Sequence, residues 1–184
     1  DTATFYSISN CQDGLSRVTL GNFLIKRVVF EIQEELPNIK HFGTLSPIPG
    51  FRDWFSYLED VKIKNILGEM PLENISFLKS TDLKVGDPRI VSNKEAITKL
   101  VAHYLMNEKN HKQLPINDVC RFHLGNGAII DDIVINANVS EVGLNRSFGV
   151  MVNYLYELKN IEKNHEEYIN NKTIIISDKL KKII

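Results

Sequence analysis

The chain has 184 residues and a mass of 21.0 kDa, with 22 Lys+Arg against 23 Asp+Glu and a formal net charge of −1. A chain of this size hides roughly 70% of its unfolded surface, enough for one sizeable core. Its 43% hydrophobic content excludes disorder as the default state. The balanced charge gives no reason to expect a nucleic-acid partner, which needs a basic excess or stripe. No apolar run reaches the roughly eighteen residues of a membrane span.

Cys11 and Cys120 are too few for a disulfide framework, and a reducing, cytoplasmic compartment is the simpler expectation. Asn-x-Ser/Thr triplets at Asn74, Asn138, Asn145 and Asn171 are expected by chance in an Asn-rich chain. Asp1 opens the sequence without an initiator Met or a charged-then-apolar leader, although trimming would hide one. The closing Lys182-Ile-Ile is not a peroxisomal address.

Residues 2–10 mix β-branched, aromatic and hydroxyl side chains and predict a strand. A polar, Gly-containing stretch from Cys11 to Thr19 follows. From Leu20 the period changes: Leu20, Leu24, Val28, Ile32 and Leu36, widened by Phe23 and Val29, predict a helix that Pro37 ends. Residues 39–46 predict a second strand, cut off at Pro47-Ile-Pro49-Gly50. Strand, Gly loop, helix, strand is a βαβ unit with parallel neighbours.

Phe51 to Leu58 predict a short helix, and residues 60–92 short helices and loops. Ser92-Asn-Lys-Glu95 spells a capping box ahead of Ile97, Leu100, Val101, Tyr104 and Leu105 at helical spacing. Residues 115–122 predict a further helix with Pro115 at its first position. His123-Leu-Gly-Asn-Gly127 is expected as a turn. Residues 128–139 and 148–156 alternate and predict two antiparallel strands, with Phe148, Val150, Val152, Tyr154 and Tyr156 on one face. The tail from Lys159 is charged, with an amphipathic end around Ile174–Ile184.

Three places offer chemistry. The turn from Asp13 to Asn22 leads a strand into a helix, aiming free backbone N–H groups and the positive helix end at one point. Gly21 leaves room for a phosphate and Arg17 adds a charge. Taken locally, an ordinary βαβ turn is the preferred reading. No Gly-Lys-Thr or Gly-x-Gly-x-x-Gly stands here, so nucleotide readings are poor. Ser46 sits where two prolines and a glycine lock the chain, the rigidity a catalytic hydroxyl needs, though a plain turn Ser is commoner. It lacks a nucleophile-elbow pattern.

His123 borders a Gly-Asn-Gly turn and suits proton transfer, though a lone His is more often structural or exposed. His41, His103, His111 and His165 read as surface or ordinary core positions. Cys120-x-x-His123 has metal-ligand spacing but no second pair, and His165-Glu-Glu-Tyr-Ile169 lacks a second His, so no metal is expected.

In order along the chain stand Phe5-Tyr-Ser-Ile-Ser9, Leu20-Gly-Asn-Phe-Leu-Ile-Lys-Arg-Val-Val29, Leu45-Ser-Pro-Ile-Pro-Gly-Phe51, Phe122-His-Leu-Gly-Asn-Gly-Ala128 and Val152-Asn-Tyr-Leu-Tyr156. Together they resemble the C-terminal catalytic domain of the malonyl-CoA decarboxylase family, from about residue 2 to 158 and loosely through the last helix. The resemblance implies an α+β, GNAT-like acyl-CoA-binding fold, a mixed twisted sheet flanked by helices. It also implies that residues 1–184 are the C-terminal portion of a catalytic domain lacking its N-terminal strands, with a helical insertion at about 60–115. The first strand would then present an unpaired edge.

By the same resemblance Ser46 matches the active-site serine and His123 the proton donor. Ser16, Arg17, Val18, Thr19, Leu20, Gly21 and Asn22 match the loop that holds the CoA pyrophosphate, which reverses the local preference for a plain turn. Tyr156 matches a supporting tyrosine. Two departures stand out. Thr19 replaces an acidic residue, and Asp131-Asp-Ile-Val-Ile135 replaces a Trp-Arg-x-Asn-Trp stretch.

The implied activity is decarboxylation of malonyl-CoA to acetyl-CoA and CO2, in fatty-acid and malonate metabolism. No cofactor or metal is needed, because the thioester carbonyl accepts the electrons. The expected partners are malonyl-CoA and acetyl-CoA, with homo-oligomers in the full-length family, no nucleic acid and no membrane. A eukaryotic member with a trimmed N-terminus would be mitochondrial or peroxisomal. Ser46 would orient the carboxylate, Leu45 and Ile48 would form an apolar wall, and a protonated His123 would give the proton. Two alternatives stay open: a GNAT-like acetyl-CoA-dependent acyltransferase, or an inactive CoA-binding module.

Overall fold

The structure, a computed structural model, describes residues 1–6 and 21–184, of which 21–24 by backbone alone. Among the described residues the centre is a four-stranded mixed sheet in the order β1-β2-β4-β3. Strand β1 (Thr2–Phe5) runs parallel to β2 (His41–Pro47), and α1 (Gly21–Glu35) lies between them in the chain. This is the expected βαβ unit. Strand β4 (Met151–Leu155) pairs antiparallel with β2 and with β3 (Ile129–Val134), and β1 stands at one edge.

Helix α1 buries a narrower stripe than its sequence predicts. Ile25 and Val29 are buried, Ile32 packs at the margin, and Leu36 is exposed. The helix ends at Glu35, so Leu36 lies beyond it and no longer follows the helical period. Strand β2 alternates cleanly. Phe42, Thr44, Ser46 and Ile48 are buried on one side, while Leu45 and Pro47 are half-buried on the other. Leu45 therefore cannot share the predicted apolar wall with Ser46, which Ile48 alone can join.

After the Pro-Gly turn come α2 (Phe51–Ser56), α3 (Asp60–Leu67), α4 (Glu73–Ser76), a 3-10 turn at Phe77–Lys79, α5 (Pro88–Ser92) and α6 (Lys94–Met106). Their apolar residues, including Ile63, Leu67, Ile75 and Leu100, join the same core as the strands. The capping box does not form. Ser92 is the last residue of α5 and donates to the Pro88 carbonyl, while the Asn93 side chain donates back to the Arg89 carbonyl. Both side chains satisfy the end of one helix and are not free to cap the next.

Helix α7 (Asp118–Gly125) starts later and ends later than expected. The Asn117 side chain accepts from the Cys120 N–H at 2.8 Å and so sets the start at Asp118, leaving Pro115 outside. His123 to Gly125 form the last helical turn, and the turn itself is Asn126-Gly127. The third strand stops at Val134, after a bulge between Ile130 and Asp132. An unanticipated helix α8 (Glu141–Ser147), capped by Ser140, occupies part of the connection to β4.

The buried face of β4 is as expected, with Val150, Val152, Tyr154 and Tyr156 at most 1% exposed. Helix α9 (Ile161–Asn171) packs on α7, and α10 (Asp178–Lys181) closes the chain. Residues 175–177 cover the outer edge of β3: the Ile130 N–H reaches the Ile175 carbonyl and the Ser177 N–H the Ile130 carbonyl, each at 3.0 Å. Among the described residues no helix is long and apolar enough to cross a membrane.

Gly127 locks α9 against the end of α7. Its φ is +81°, and a Cβ there would lie 2.1 Å from the Ile161 carbonyl oxygen. The Asn164 side chain donates to the Gly127 carbonyl at 3.2 Å, and His165 Nδ1 bonds the Gly125 carbonyl at 2.6 Å. Gly127→Ala combines backbone strain with a clash against main chain. It is expected to cost roughly 3 kcal/mol or more in urea denaturation.

Candidate functional site

The site lies on the sheet face built by the alternation of β2 and β4. Residues directly opposite in an antiparallel pair project to the same side. Thr44 stands opposite Tyr154, and Ser46 opposite Val152. Thr44 and Ser46 thus share a face with the Tyr154 ring. Pro47 ends the strand, and the Pro49 carbonyl accepts from Tyr104 Oη at 3.0 Å and from Asn117 Nδ2 at 2.9 Å. Two elements, α6 and the start of α7, therefore hold the turn that follows Ser46.

His123 arrives from the other direction, on the last turn of α7. Its carbonyl accepts from the Asn126 and Ala128 N–H groups, both at 3.1 Å, which fixes the backbone at the helix end. Its ring stacks on Tyr154, with centroids 4.3 Å apart and planes 20° from parallel. Nε2 lies 2.9 Å from Ser46 Oγ, and Nδ1 lies 2.8 Å from Tyr156 Oη. Ser46 Oγ is in turn 3.0 Å from Thr44 Oγ1. Tyr156, His123, Ser46 and Thr44 form one continuous hydrogen-bonded chain, with all four residues buried.

Burial dominates the electrostatics. His123 is 3% exposed, and its imidazole is pushed down from 6.5 to about 3 by desolvation, so it is neutral at physiological pH. The condition of a protonated His123 is therefore not met in this setting, and the available donor is the N–H of a neutral ring. The Tyr156 and Tyr154 phenols are both driven upward by the same desolvation. Behind them the Cys120 thiol is pushed up to about 12 by burial, lies 3.9 Å from the Leu105 carbonyl and also meets the Tyr154 phenol. It is neither a reactive thiolate nor a ligand paired with His123, whose two nitrogens are already engaged. Among the described residues no group of three His, Cys, Asp or Glu side chains could hold a metal ion.

The structure brings together Ser46, His123 and Tyr156 as the sequence suggested, and adds two residues that it did not. Thr44 and Tyr154 were visible only as the i−2 neighbour of Ser46 and as one of an alternating aromatic run. Residues 16–20 of the predicted phosphate loop lie outside the described residues, while Gly21 and Asn22 begin α1. Asp131 and Asp132 are on the opposite face of the sheet from His123. Asp131 accepts from Asn153 Nδ2 at 3.1 Å, and Asp132 pairs with Lys179. Burial, reinforced by Asp132, raises the Asp131 carboxyl.

An α+β domain with a buried Ser–His–Tyr constellation beside a β-α-β crossover defines the class. A family model for the malonyl-CoA decarboxylase C-terminal domain matches residues 1–184, and the chain belongs to this family. It is similar to the mitochondrial malonyl-CoA decarboxylase of Rattus norvegicus, 38% identical over 201 residues, which takes in 99% of this chain and 40% of the relative. The mitochondrial malonyl-CoA decarboxylase of Anser anser anser is 37% identical over 97% of this chain and 39% of its own length.

Among solved structures, the malonyl-CoA decarboxylase of Rhodopseudomonas palustris superposes with a TM-score of 0.86 at 39% identity, over 99% of this chain and 42% of that one. The Cupriavidus metallidurans structure gives 0.81 at 36% identity, over 100% of this chain and 48% of that one. The chain thus spans about 40% of the length of these curated relatives.

The buried imidazole carries a pH signature. An unfolded His binds its proton near 6.5 and the folded one near 3, so the unfolded state takes up the proton first as pH falls. Stability linked to this group is complete above about 6.5 and is lost toward 3, at up to ~1.4 kcal/mol per pH unit. Between pH 6.5 and 5, denaturation of the native protein should therefore show a loss about 2 kcal/mol larger than His123→Asn shows.

Proposed function

We propose that the protein decarboxylates malonyl-CoA to acetyl-CoA and CO2. The observation that carries this reading is the buried 2.9 Å contact between Ser46 Oγ and His123 Nε2, in a chain of the malonyl-CoA decarboxylase family. Losing CO2 breaks the bond between the carboxylate carbon and the α-carbon, and the electron pair enters the thioester as an enolate. The site must orient the carboxylate out of the thioester plane and then return a proton to the α-carbon.

Ser46 is the carboxylate-orienting group in this scheme, held at the end of β2 with Ile48 as an apolar neighbour. His123 is the proton donor. Its neutral N–H is competent because a thioester enolate is a far stronger base than either an imidazole or a phenol anion. As Nε2–H gives its proton to the α-carbon, Tyr156 O–H can supply one at Nδ1, 2.8 Å away; after product leaves, a solvent proton taken up at Nε2 returns the Nδ1 proton to the phenolate and restores the starting form.

The loop Ser16 to Asn22 is assigned to the CoA pyrophosphate. Helix α1 begins at Gly21 directly after β1 and its connection, and a helix N-terminus offers unpaired N–H groups and a positive dipole end to a phosphate. A mitochondrial setting, as named for the curated relatives, belongs to the same reading.

The test is acetyl-CoA formation from malonyl-CoA, with Ser46→Ala, His123→Asn and Tyr156→Phe beside the native protein. Removing the proton donor should lower kcat by roughly 10²–10⁴-fold. Tyr156→Phe should fall less, since Nδ1 keeps its position and loses only its proton source. Full activity in both Ser46→Ala and His123→Asn would overturn the reading.

A further inference from the structure

The chain Tyr156–His123–Ser46–Thr44 can hold its protons in two ways, and only one leaves His123 able to donate toward Ser46. In the first, Tyr156 O–H donates to Nδ1, Nε2–H donates to Ser46 Oγ, and Ser46 O–H donates to Thr44 Oγ1. In the second every proton points the other way: Thr44 donates to Ser46, Ser46 to Nε2, and Nδ1–H to Tyr156. Imidazole nitrogen is the strongest acceptor of the four and the phenol the most acidic neutral donor, so their direct contact at 2.8 Å favours the first arrangement. That arrangement has one requirement. The Ser46 proton needs an acceptor other than Nε2, and the acceptor at hand is Thr44 Oγ1 at 3.0 Å.

We propose that Thr44 is a positioning residue: its hydroxyl accepts the Ser46 proton and thereby holds His123 as the Nε2–H tautomer. The fold supports this placement. Thr44 is 2% exposed, stands two residues before Ser46 on the same face of β2, and lies opposite the Tyr154 ring on which His123 stacks. Valine would fill the same β-branched volume in the strand. A threonine there brings a hydroxyl into a buried, otherwise apolar position, and a buried polar group is costly unless it is bonded. Without it, Ser46 O–H turns to Nε2, the ring takes the Nδ1–H form, and the donor nitrogen faces Tyr156 instead of the substrate side.

The proposal deepens the decarboxylase reading and rests on it for its catalytic consequence, but the tautomer itself can be read without substrate. Two-bond 15N–1H correlation spectra of 15N-histidine-labelled protein at neutral pH distinguish the protonated from the bare ring nitrogen. The native protein should show His123 protonated at Nε2, Thr44→Val should shift it to Nδ1, and Thr44→Ser should return it to Nε2. In turnover, Thr44→Val should lower kcat roughly tenfold with little change in KM, and Thr44→Ser should recover most of it.

A merely structural threonine would leave the tautomer unmoved in a folded Thr44→Val protein, and that result overturns the proposal. So does an Nδ1–H ring in the native protein, a measurement that needs no variant. Thr44→Ala serves should Thr44→Val fail to fold. If the tautomer follows Thr44 but malonyl-CoA is not consumed, the positioning role stands and the decarboxylase reading fails.

Discussion

The register between β2 and β4 decides where every polar group of the buried site falls. Thr44 is paired with Tyr154 and Ser46 with Val152, so two hydroxyls and an aromatic platform project together from one face. A slip of one residue would turn Thr44 and Ser46 toward the other face and bring Leu45 in their place. The register is specified by what that slip would cost. Phe42 and Ile48 would leave the core along with the hydroxyls. The geometry of the hydrogen-bonded site and hydrophobic burial are therefore enforced by the same alternation, and neither can drift without the other.

His123 depends on that face but is supplied by α7, and its setting explains its charge. A ring stacked on Tyr154, flanked by Tyr156 and Ser46 and 3% exposed, has no carboxylate among its described hydrogen-bond partners to stabilise a positive form. Desolvation therefore wins, and the imidazole stays neutral. A neutral ring costs little to bury when both nitrogens are bonded, which the chain of hydroxyls achieves. On the decarboxylase reading, the same arrangement suits a reaction that consumes a proton at carbon, because the acid is withheld from water until a strong base forms beside it.

Ser46 and His123 stood out as candidates because each lies beside residues that constrain the backbone, the Pro-Ile-Pro-Gly turn and the Gly-Asn-Gly turn, but only the family resemblance raised them above a plain turn serine and a structural histidine. Thr44 was harder to see. Its position follows from a period of two, Phe42-x-Thr44-x-Ser46-x-Ile48, but a polar residue in such a run is commonly taken as solvent-facing. Helix α8 was missed because Gly143 sits inside it. That glycine is required by packing, since a Cβ would meet the Asn138 carbonyl at 2.4 Å, and no local propensity reveals such a contact. The false capping box has a similar origin: Ser92 and Asn93 fit an N-terminal pattern, yet α5 claims both side chains first. Local patterns are legible where one element decides the outcome, and ambiguous where two compete.

The placement of α9 extends this to the back of the site. Asn164 and His165 reach the carbonyls of Gly127 and Gly125, the residues just past His123, while Lys26 of α1 pairs with Glu162 at 3.1 Å. Helix α9 therefore ties the helix that begins at the proposed phosphate loop to the helix that ends at the proposed proton donor. An ion pair with one partner exposed contributes little stability by itself. Its effect here is geometric, since α1 and α7 lie far apart in the chain. On the decarboxylase reading, α9 braces the end of the helix that carries His123.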